Sequence, residues 1–378
     1  MSNFIPISRP SITELEVAHV TDAVRSGWVS SLGPYIEEFE TRFAKLCGTR
    51  FALAVSSGTT GLHLALMSAG LKAGDEVIVP DLTFIATANA VSYIGAKPVF
   101  ADIDGKSLGL CAASVERLIS SKTKAIIPVH LYGHPADMDP LLALAKRYGL
   151  RIIEDAAEAH GARYKGRQAG SIGTCGVFSF YGNKIITSGE GGMITTNDEE
   201  LWSKAKRLRD HAMSPTRRYW HEEIGYNYRM TNLQAALGVA QMKRVDELTA
   251  RRSEIIGWYR ENLGGQAGLT LNRVEPWADC AFWMQCVEVE GLIDGTRNQL
   301  MAALKQRGVD SRPYFYPLSE MPMYAHPATS TPVAHRISQT GLNLPLYVDL
   351  TRDEVDLVCT AFIDALSTLE HSFAANAQ

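Results

Sequence analysis

Residues 124–155 read KAIIPVHLYGHPADMDPLLALAKRYGLRIIED, and this stretch decides the fold class. It holds an apolar run at 124–130, a helix-length segment at 139–149 that closes on a glycine, and a second apolar run that begins at 151. The apolar runs do not alternate with polar residues, which is typical of strands buried on both faces. The stretch therefore predicts two strands of a parallel sheet connected by a helix.

The same alternation extends in both directions from this stretch. Further β-rich runs occur at 51–56, 76–80, 97–103, 176–180 and 192–196, with helix-length segments between most of them. The pattern predicts an α/β fold: a three-layer domain with a mostly parallel sheet.

The pattern changes towards the carboxyl end. Helical signals at 198–210 and 230–252 are followed by an alternating, strand-like run at 278–291 and by helical segments at 296–308 and 351–370. The second helical signal opens on Thr231 with Gln234 three residues later, which favours a capping box. We expect a large α/β domain over residues 1–249 and a smaller α+β domain over 250–378.

Composition excludes several classes of protein. Of the 378 residues, 46% are hydrophobic and 21% are charged, which excludes a disordered chain, and the net charge of −4 gives no attraction to nucleic acid or to an anionic membrane. No apolar run is long enough to span a bilayer, and the first ten residues do not have the pattern of a signal peptide, so a cytoplasmic protein is expected. The six cysteines form no C-x-x-C pair, which predicts reduced thiols.

The first candidate site is SSGTTGLHLALMSAG at residues 56–70. Gly58 permits a tight turn after a strand, and Thr59 opens a helix whose free N–H groups and dipole suit a phosphate. The alternative is an ordinary turn with a threonine cap, because the stretch is neither a Walker A sequence nor G-x-G-x-x-G.

The second candidate is RIIEDAAEAHG at residues 151–161. The strand delivers Asp155 to its carboxyl end, where ligands of parallel sheets bind, and a carboxylate there favours a cationic partner. Alternatively, Asp155 caps a following helix.

The third candidate is FSFYGNKIITSGEGGM at residues 178–193, in which Lys184 stands among aromatic residues and glycines. A desolvated lysine loses its proton more readily and becomes a nucleophile. The alternative is an exposed ion pair between Lys184 and Glu190, which would contribute little.

Together the three candidates match the needs of pyridoxal 5′-phosphate: a seat for its phosphate, a carboxylate for its ring nitrogen and an amine for its aldehyde. No metal site is expected. His130 and His134 are four residues apart, but they lie at a strand end and a turn rather than on one helix.

On these motifs the chain resembles the sugar aminotransferases of the DegT/DnrJ/EryC1/StrS family over nearly its whole length. The resemblance implies the type I, aspartate aminotransferase-like fold of pyridoxal phosphate (PLP) enzymes. The stretches that carry it are WVSSLGPYIEEFE (28–40), VSSGTTGLHLAL (55–66), GDEVIVPDLTFIATANA (74–90), PVHLYGHPADMD (128–139), IIEDAAEAHGA (152–162), FSFYGNKIITSGEGGMITTND (178–198), YNYRMTNLQAALG (226–238) and LNLPLY (342–347).

The resemblance implies a role for each matching residue. Lys184 would be the Schiff-base lysine and proton carrier, where some relatives have a histidine and remove a hydroxyl group instead. Asp155 would pair with the ring nitrogen, Glu158 would lie near the ring hydroxyl, and Phe84 would stack on the ring. The phosphate contacts would come from Gly58, Thr59, Ser179 and, from a second subunit, Asn227.

The resemblance also implies the reaction and the partners. L-glutamate would donate its amino group, leaving pyridoxamine phosphate as the cofactor's intermediate form, and a nucleotide-linked ketosugar would accept it. The contribution of Asn227 implies a homodimer with shared sites.

The resemblance of the run RRYWHEEIGYNYRMTN (217–232) to the corresponding run in family members implies GDP-4-keto-6-deoxy-D-mannose as acceptor and GDP-perosamine, an O-antigen sugar donor, as product. Candidate substrate contacts are Tyr219, His221, Arg312 and Tyr316, whose guanidinium and aromatic groups suit a diphosphate and a sugar or base.

Three alternatives stay open at this level. The first is an aminotransferase for a UDP- or dTDP-linked ketosugar, and the second is a regulatory protein that binds PLP without turnover. The third is a nicotinamide-dependent sugar epimerase or dehydratase, against which the absence of G-x-G-x-x-G and Y-x-x-x-K speaks.

Overall fold

The computed structural model describes residues 4–325 and 330–376. Its strands are β1 Phe51–Val55, β2 Glu76–Pro80, β3 Lys97–Ala101, β4 Thr123–Ile126, β5 Arg151–Asp155, β6 Arg163–Tyr164, β7 Arg167–Gln168, β8 Cys175–Ser179, β9 Gly192–Thr196, β10 Leu269–Leu271, β11 Ala278–Asp279, β12 Gln285–Val289, β13 Arg312–Pro313 and β14 Gly341–Leu344. Its α-helices are α1 Glu14–Arg25, α2 Pro34–Cys47, α3 Gly58–Ser68, α4 Ala86–Tyr93, α5 Ala112–Leu118, α6 Met138–Tyr148, α7 Glu199–Arg209, α8 Asn232–Lys243, α9 Val245–Leu263, α10 Asp294–Gln306, α11 Pro332–Thr340 and α12 Arg352–Asn376.

A seven-stranded sheet forms the centre of the structure, in the order β1-β9-β8-β5-β4-β2-β3. The pairs β2–β3, β2–β4, β4–β5 and β5–β8 are parallel, whereas β9 runs antiparallel to β1 and β8. The predicted α/β fold with a mostly parallel sheet is confirmed.

Helices cover both faces of this sheet, which explains why its strands lack polar alternation. One face packs against α3 and α7 through residues such as Leu62 and Leu201, and the other packs against α2 and α8 through Phe39 and Val239. The carboxyl ends of the parallel strands, which carry polar residues, therefore lie along one side of the sheet, between the two apolar layers of helices.

A smaller antiparallel sheet, β10-β12-β14-β13, packs against α9, α10 and α12 around a second apolar cluster. The amino-terminal segment joins it, because Ile5 belongs to this cluster and pairs with Val309. Helix α9 runs without interruption across position 250. The division into 1–249 and 250–378 stays a prediction.

The helical signal at 230–252 corresponds to two helices, α8 and α9. The predicted capping box is present, with Thr231 and Gln234 bonding reciprocally at 3.2 and 2.9 Å. The break falls at Arg244, whose guanidinium bonds to the buried Glu16 and to Glu247. The contact with Glu16, which is far away in sequence, is invisible in the local pattern.

Two further features concern the whole chain. Among the described helices, none has both the length and the apolar character needed to cross a membrane. All six cysteines are unpaired; four are buried, and Cys111 and Cys280 are partly exposed.

Two helical glycines give a matched test of the packing between α2 and α8. A Cβ at Gly238 would lie 2.6 Å from the Phe39 ring, whereas one at Gly257 in α9 would have no neighbour within 4 Å. We expect Gly238→Ala to destabilise the protein by about 1–3 kcal/mol through overpacking. Gly257→Ala should stabilise it by up to about 1 kcal/mol through helix propensity. Melting temperatures of the two variants measure both effects, and equal shifts would contradict the predicted close packing.

Candidate active site

Several of the predicted site residues meet at one edge of the central sheet. Asp155 is the last residue of β5, Ser179 is the last residue of β8, and Gly58 begins α3 just after β1. Strands β5 and β8 are parallel neighbours, so their carboxyl ends lie side by side. This is the edge at which ligands of α/β sheets bind.

The amino end of α3 fits an anion. Ser57 is the N-cap and shares a capping box with Thr60, which accounts for the Thr60 N–H. Among the described residues no acceptor takes a hydrogen bond from the N–H of Gly58 or Thr59. A Cβ on Gly58 would lie 2.9 Å from Cβ of Ser179, so the helix end approaches β8 more closely than another residue would allow. The N-cap is Ser57 rather than the threonine of the alternative, and Thr60 is its capping-box partner.

Asp155 is buried, and both of its carboxylate oxygens are occupied. Oδ1 accepts the Ala157 N–H at 3.2 Å, and Oδ2 accepts the Thr87 hydroxyl at 2.8 Å. Turns, not a helix, follow β5, so the helix-cap alternative is wrong. Burial raises the pKa of Asp155, and the two hydrogen bonds oppose that rise. A cation beside this carboxylate would favour its ionised form.

The neighbouring Glu154 stabilises the local backbone through hydrogen bonds. Its carboxylate accepts the N–H groups of Gly170, Ile172 and Gly173 and bonds to His130 Nε2 at 2.9 Å. Because His130 Nδ1 accepts the Ala136 N–H, the imidazole proton resides on Nε2. His130 thus serves Glu154 rather than a metal, and the described residues contain no cluster of three or more metal-ligating side chains.

Lys184 lies in a pocket formed by a carboxylate and an aromatic ring. Its Nζ is 3.3 Å from Glu158 Oε1 and 3.7 Å from the centroid of the Trp283 ring, and its side chain is 11% exposed. Burial lowers the pKa of Lys184, while the charges of Glu158 and Asp155 oppose the change. The alternative pair with Glu190 is wrong, because the partner of Lys184 is Glu158.

Glu158 is itself fixed by an unusual backbone conformation. Its Oε2 accepts the N–H of Tyr132 at 2.8 Å, and Tyr132 has a left-handed φ of 53°. Such a conformation is rare for a bulky residue and is maintained by its surroundings. The Tyr132 hydroxyl accepts the Phe315 N–H at 3.1 Å. Burial raises the pKa of Glu158, and the charge of Lys184 opposes the rise.

Three residues of this site were not foreseen: Thr87, Tyr132 and Trp283. Thr87 could have been found from its place in PDLTFIAT, three residues after Phe84, where the first turn of α4 faces the sheet edge. Trp283 comes from a distant segment, and its indole N–H bonds to the Asn183 carbonyl at 2.8 Å. No local pattern connects it with Lys184.

Three further predicted residues, Phe84, Tyr316 and Arg312, lie after β2 and in or just after β13. Phe84 presents a half-exposed ring 5.8 Å from the Phe315 ring, on the site side of β2. Tyr316 follows Phe315 directly, and its hydroxyl accepts a hydrogen bond from Arg297 at 3.2 Å. Arg312 is exposed in β13, the edge strand of the smaller sheet.

Tyr219, His221 and Asn227 lie in or beside an exposed loop. Among the described residues none of them bonds to Lys184, Asp155 or Glu158 of the same chain. The amide oxygen of Asn227 accepts from Arg229 instead, at 3.1 Å, and forms no hydrogen bond with Gly58 or Ser179. Within the described residues, therefore, none of the three is bonded to the predicted cofactor residues of its own chain.

The residues present fit pyridoxal phosphate. Two free N–H groups and a serine suit its phosphate, a buried carboxylate suits its protonated ring nitrogen, and a desolvated amine suits its aldehyde.

Comparison with known proteins also supports a pyridoxal phosphate site. The model of the DegT/DnrJ/EryC1/StrS aminotransferase family matches residues 10–363. A GDP-perosamine synthase from Caulobacter vibrioides is 48% identical over 364 residues, which cover 96% of this chain and 98% of that protein. A GDP-perosamine synthase from Vibrio cholerae is 41% identical over 357 residues, covering 94% and 97%.

Solved structures agree on the fold. The Streptococcus pneumoniae protein Spr1654 in its PMP-form superposes with a TM-score of 0.93 at 29% identity, covering 98% of this chain and 100% of that one. Its PLP-form gives a TM-score of 0.91. The expected aspartate aminotransferase-like architecture is thereby confirmed.

The environment of Lys184 can be tested in cofactor-free protein. Because burial lowers its pKa, its labelling by an amine-reactive reagent should be half-maximal at a pH below the ordinary value for lysine, about 10.4. Glu158→Gln removes a charge that raises this pKa, so the midpoint should fall further. Peptide mass spectrometry over a pH series gives the midpoint, with the exposed Lys106 as a check on the reagent. A rise in Glu158→Gln would contradict the assigned pair.

Proposed function

The chain belongs to the DegT/DnrJ/EryC1/StrS aminotransferase family, and on that premise we propose that it transfers an amino group from L-glutamate to C4 of a nucleotide-linked 4-keto-6-deoxy sugar. The acceptor is GDP-4-keto-6-deoxy-D-mannose and the product is GDP-perosamine. The observation that carries this acceptor is the 48% identity to a GDP-perosamine synthase over nearly the whole of both chains.

The family is PLP-dependent, and the cofactor, when bound, supplies an electron sink and a carrier for the amino group. Asp155 would hold the ring nitrogen in its protonated, electron-accepting form. The N–H groups of Gly58 and Thr59, together with Ser179, would hold the phosphate. Phe84 would cover one face of the ring, adding about 0.5–1.5 kcal/mol beyond burial.

Lys184 moves the protons in both halves of the reaction. Its lowered pKa makes Nζ a competent base, and the carboxylate of Glu158 at 3.3 Å stabilises the ammonium after the proton has been taken up. The Trp283 ring excludes water from one side of Nζ and favours the ammonium through its π-face.

We further propose that the active form is a homodimer in which Asn227 of the partner subunit completes the phosphate site. The exposure of Asn227, and its failure to reach the phosphate seat of its own chain, support this arrangement. Tyr219 and His221, on the same exposed surface, are proposed to contact the sugar nucleotide together with Arg312 and Tyr316.

Incubation of the PLP-loaded protein with L-glutamate and GDP-4-keto-6-deoxy-D-mannose should yield 2-oxoglutarate and an amino-sugar nucleotide, both detectable by mass spectrometry. Turnover confined to a UDP- or dTDP-linked ketosugar would overturn the proposed acceptor. Conversion of the cofactor by glutamate alone excludes a purely binding role.

Lys184→Ala should reduce turnover by more than about 10⁴-fold, because the nucleophile and the proton carrier are lost together. Glu190→Gln is the matched control, since Glu190 is an exposed carboxylate of the same loop, and its activity should stay within about twofold. Steady-state rates with both substrates measure the difference. Substantial activity in Lys184→Ala would refute the assigned role.

The shared site predicts complementation between two inactive variants. Homodimers of Lys184→Ala and of Asn227→Ala each have damage in both sites, but a mixed dimer has one site with both residues intact. Activity should therefore appear when the two chains are co-expressed and the doubly tagged species is purified. Inactive mixed dimers would argue against a contribution of Asn227 across an interface.

A further inference from the structure

Asp81 is a fully buried carboxylate at the carboxyl end of β2, outside the group of residues assigned to the reaction so far. Its Oδ1 accepts the Ser319 N–H at 2.7 Å, and its Oδ2 accepts the hydroxyls of Ser319, at 2.7 Å, and of Thr331. The nearest imidazole is that of His335, at 3.7 Å. A charged acceptor with three donors forms strong hydrogen bonds in such surroundings.

These bonds join two segments that are far apart in sequence. Residue 81 belongs to the central sheet, whereas residues 319 and 331 follow β13 of the smaller sheet. The backbone repeats the connection, because the Leu318 N–H donates to the Asp81 carbonyl at 2.8 Å and Leu82 pairs with Pro317. The end of β2 therefore fixes the segment 312–320 by both main chain and side chain.

The same short stretch of chain also faces the cofactor site. Phe84, three residues after Asp81, contacts the Phe315 ring, and Thr87 donates its hydroxyl to Asp155. Residues 81–87 thus connect the carboxylate proposed for the ring nitrogen with the segment that carries Arg312 and Tyr316. A shift of the Asp81 anchor would move that segment relative to Phe84.

We propose that Asp81 is a positioning residue that holds segment 312–320 beside the cofactor site and thereby sets the affinity for the acceptor sugar nucleotide. This inference rests on the proposed function. Asp81 does not touch the reacting atoms, and its side-chain partners are Ser319 and Thr331 rather than Lys184 or Glu158. Glutamate is far smaller than a sugar nucleotide, so we expect its half-reaction to depend less on this segment.

The two half-reactions separate this role from a general loss of structure. In Asp81→Ala we expect the single-turnover reaction with glutamate to stay within about twofold of the wild type. The acceptor half-reaction should show a half-saturating sugar nucleotide concentration raised at least about tenfold, and calorimetry should show a matching rise in the Kd for GDP-perosamine. Asp81→Asn, which keeps an acceptor for the Ser319 N–H, should recover part of the affinity.

Asp102 provides a matched control. It is a buried aspartate at the end of the adjacent strand, and it also joins the two regions by accepting the N–H groups of Val333 and Ala334 at the start of α11. Asp102→Ala should lower the melting temperature without an equal loss of acceptor affinity. An equal loss in both variants, or no loss in Asp81→Ala, would overturn the proposal.

Two further measurements test the proposal if Asp81→Ala does not fold or if the wild type does not turn over. If Asp81→Ala does not fold, Ser319→Ala and Thr331→Val each remove one donor with little change of shape, and an unchanged acceptor affinity in both would overturn the proposal. If the wild type aminates no GDP-, UDP- or dTDP-linked ketosugar, the proposed function fails separately. In that case the rate of amide hydrogen exchange in peptides from 312–322 tests the anchoring role of Asp81. Faster exchange in Asp81→Ala than in the wild type supports this role, and unchanged exchange refutes it.

Discussion

The contact between the Lys184 amine and the Glu158 carboxylate, both removed from water, is the constraint on which the arrangement of the site depends. Removing two such charged groups from solvent has a desolvation cost of several kcal/mol for each group, unless hydrogen-bonding or charged partners offset it. The surrounding structure supplies them: the Tyr132 N–H for Glu158, and the face of Trp283 for Lys184. The left-handed backbone of Tyr132 places that N–H beside the carboxylate, and the resulting hydrogen bond helps to stabilise this conformation.

The pair bears on the two roles proposed for Lys184, nucleophile and proton carrier. Burial favours neutral lysine and lowers the pKa of Lys184, whereas the carboxylate at 3.3 Å favours the ammonium and opposes that change. Asp155 is subject to the same balance between burial and its hydrogen bonds to Thr87 and Ala157. A cationic ring nitrogen beside Asp155 would favour its ionised form, whose charge in turn opposes the lowering of the Lys184 pKa.

Residues 81–87 give the architecture its second organising feature. One turn of chain at the end of β2 carries an anchor for the 312–320 segment, an aromatic ring at the site and a hydroxyl for Asp155. Such compactness is possible because parallel strands all deliver their carboxyl ends to one edge of the sheet. Cofactor-side and acceptor-side residues can then be positioned by the same loop.

The sequence alone determined the seven strands of the central sheet, three of them with their observed bounds, because strands buried on both faces leave continuous apolar runs. It also indicated Asp155 and Lys184 as candidate site residues from their local surroundings. The tertiary structure decided what these residues contact: Glu158 rather than Glu190 for Lys184, Thr87 for Asp155, and the distant Trp283 and Asp81 as supports. Local patterns depend on neighbours along the chain, whereas these contacts join segments up to 250 residues apart, and only packing brings such segments together.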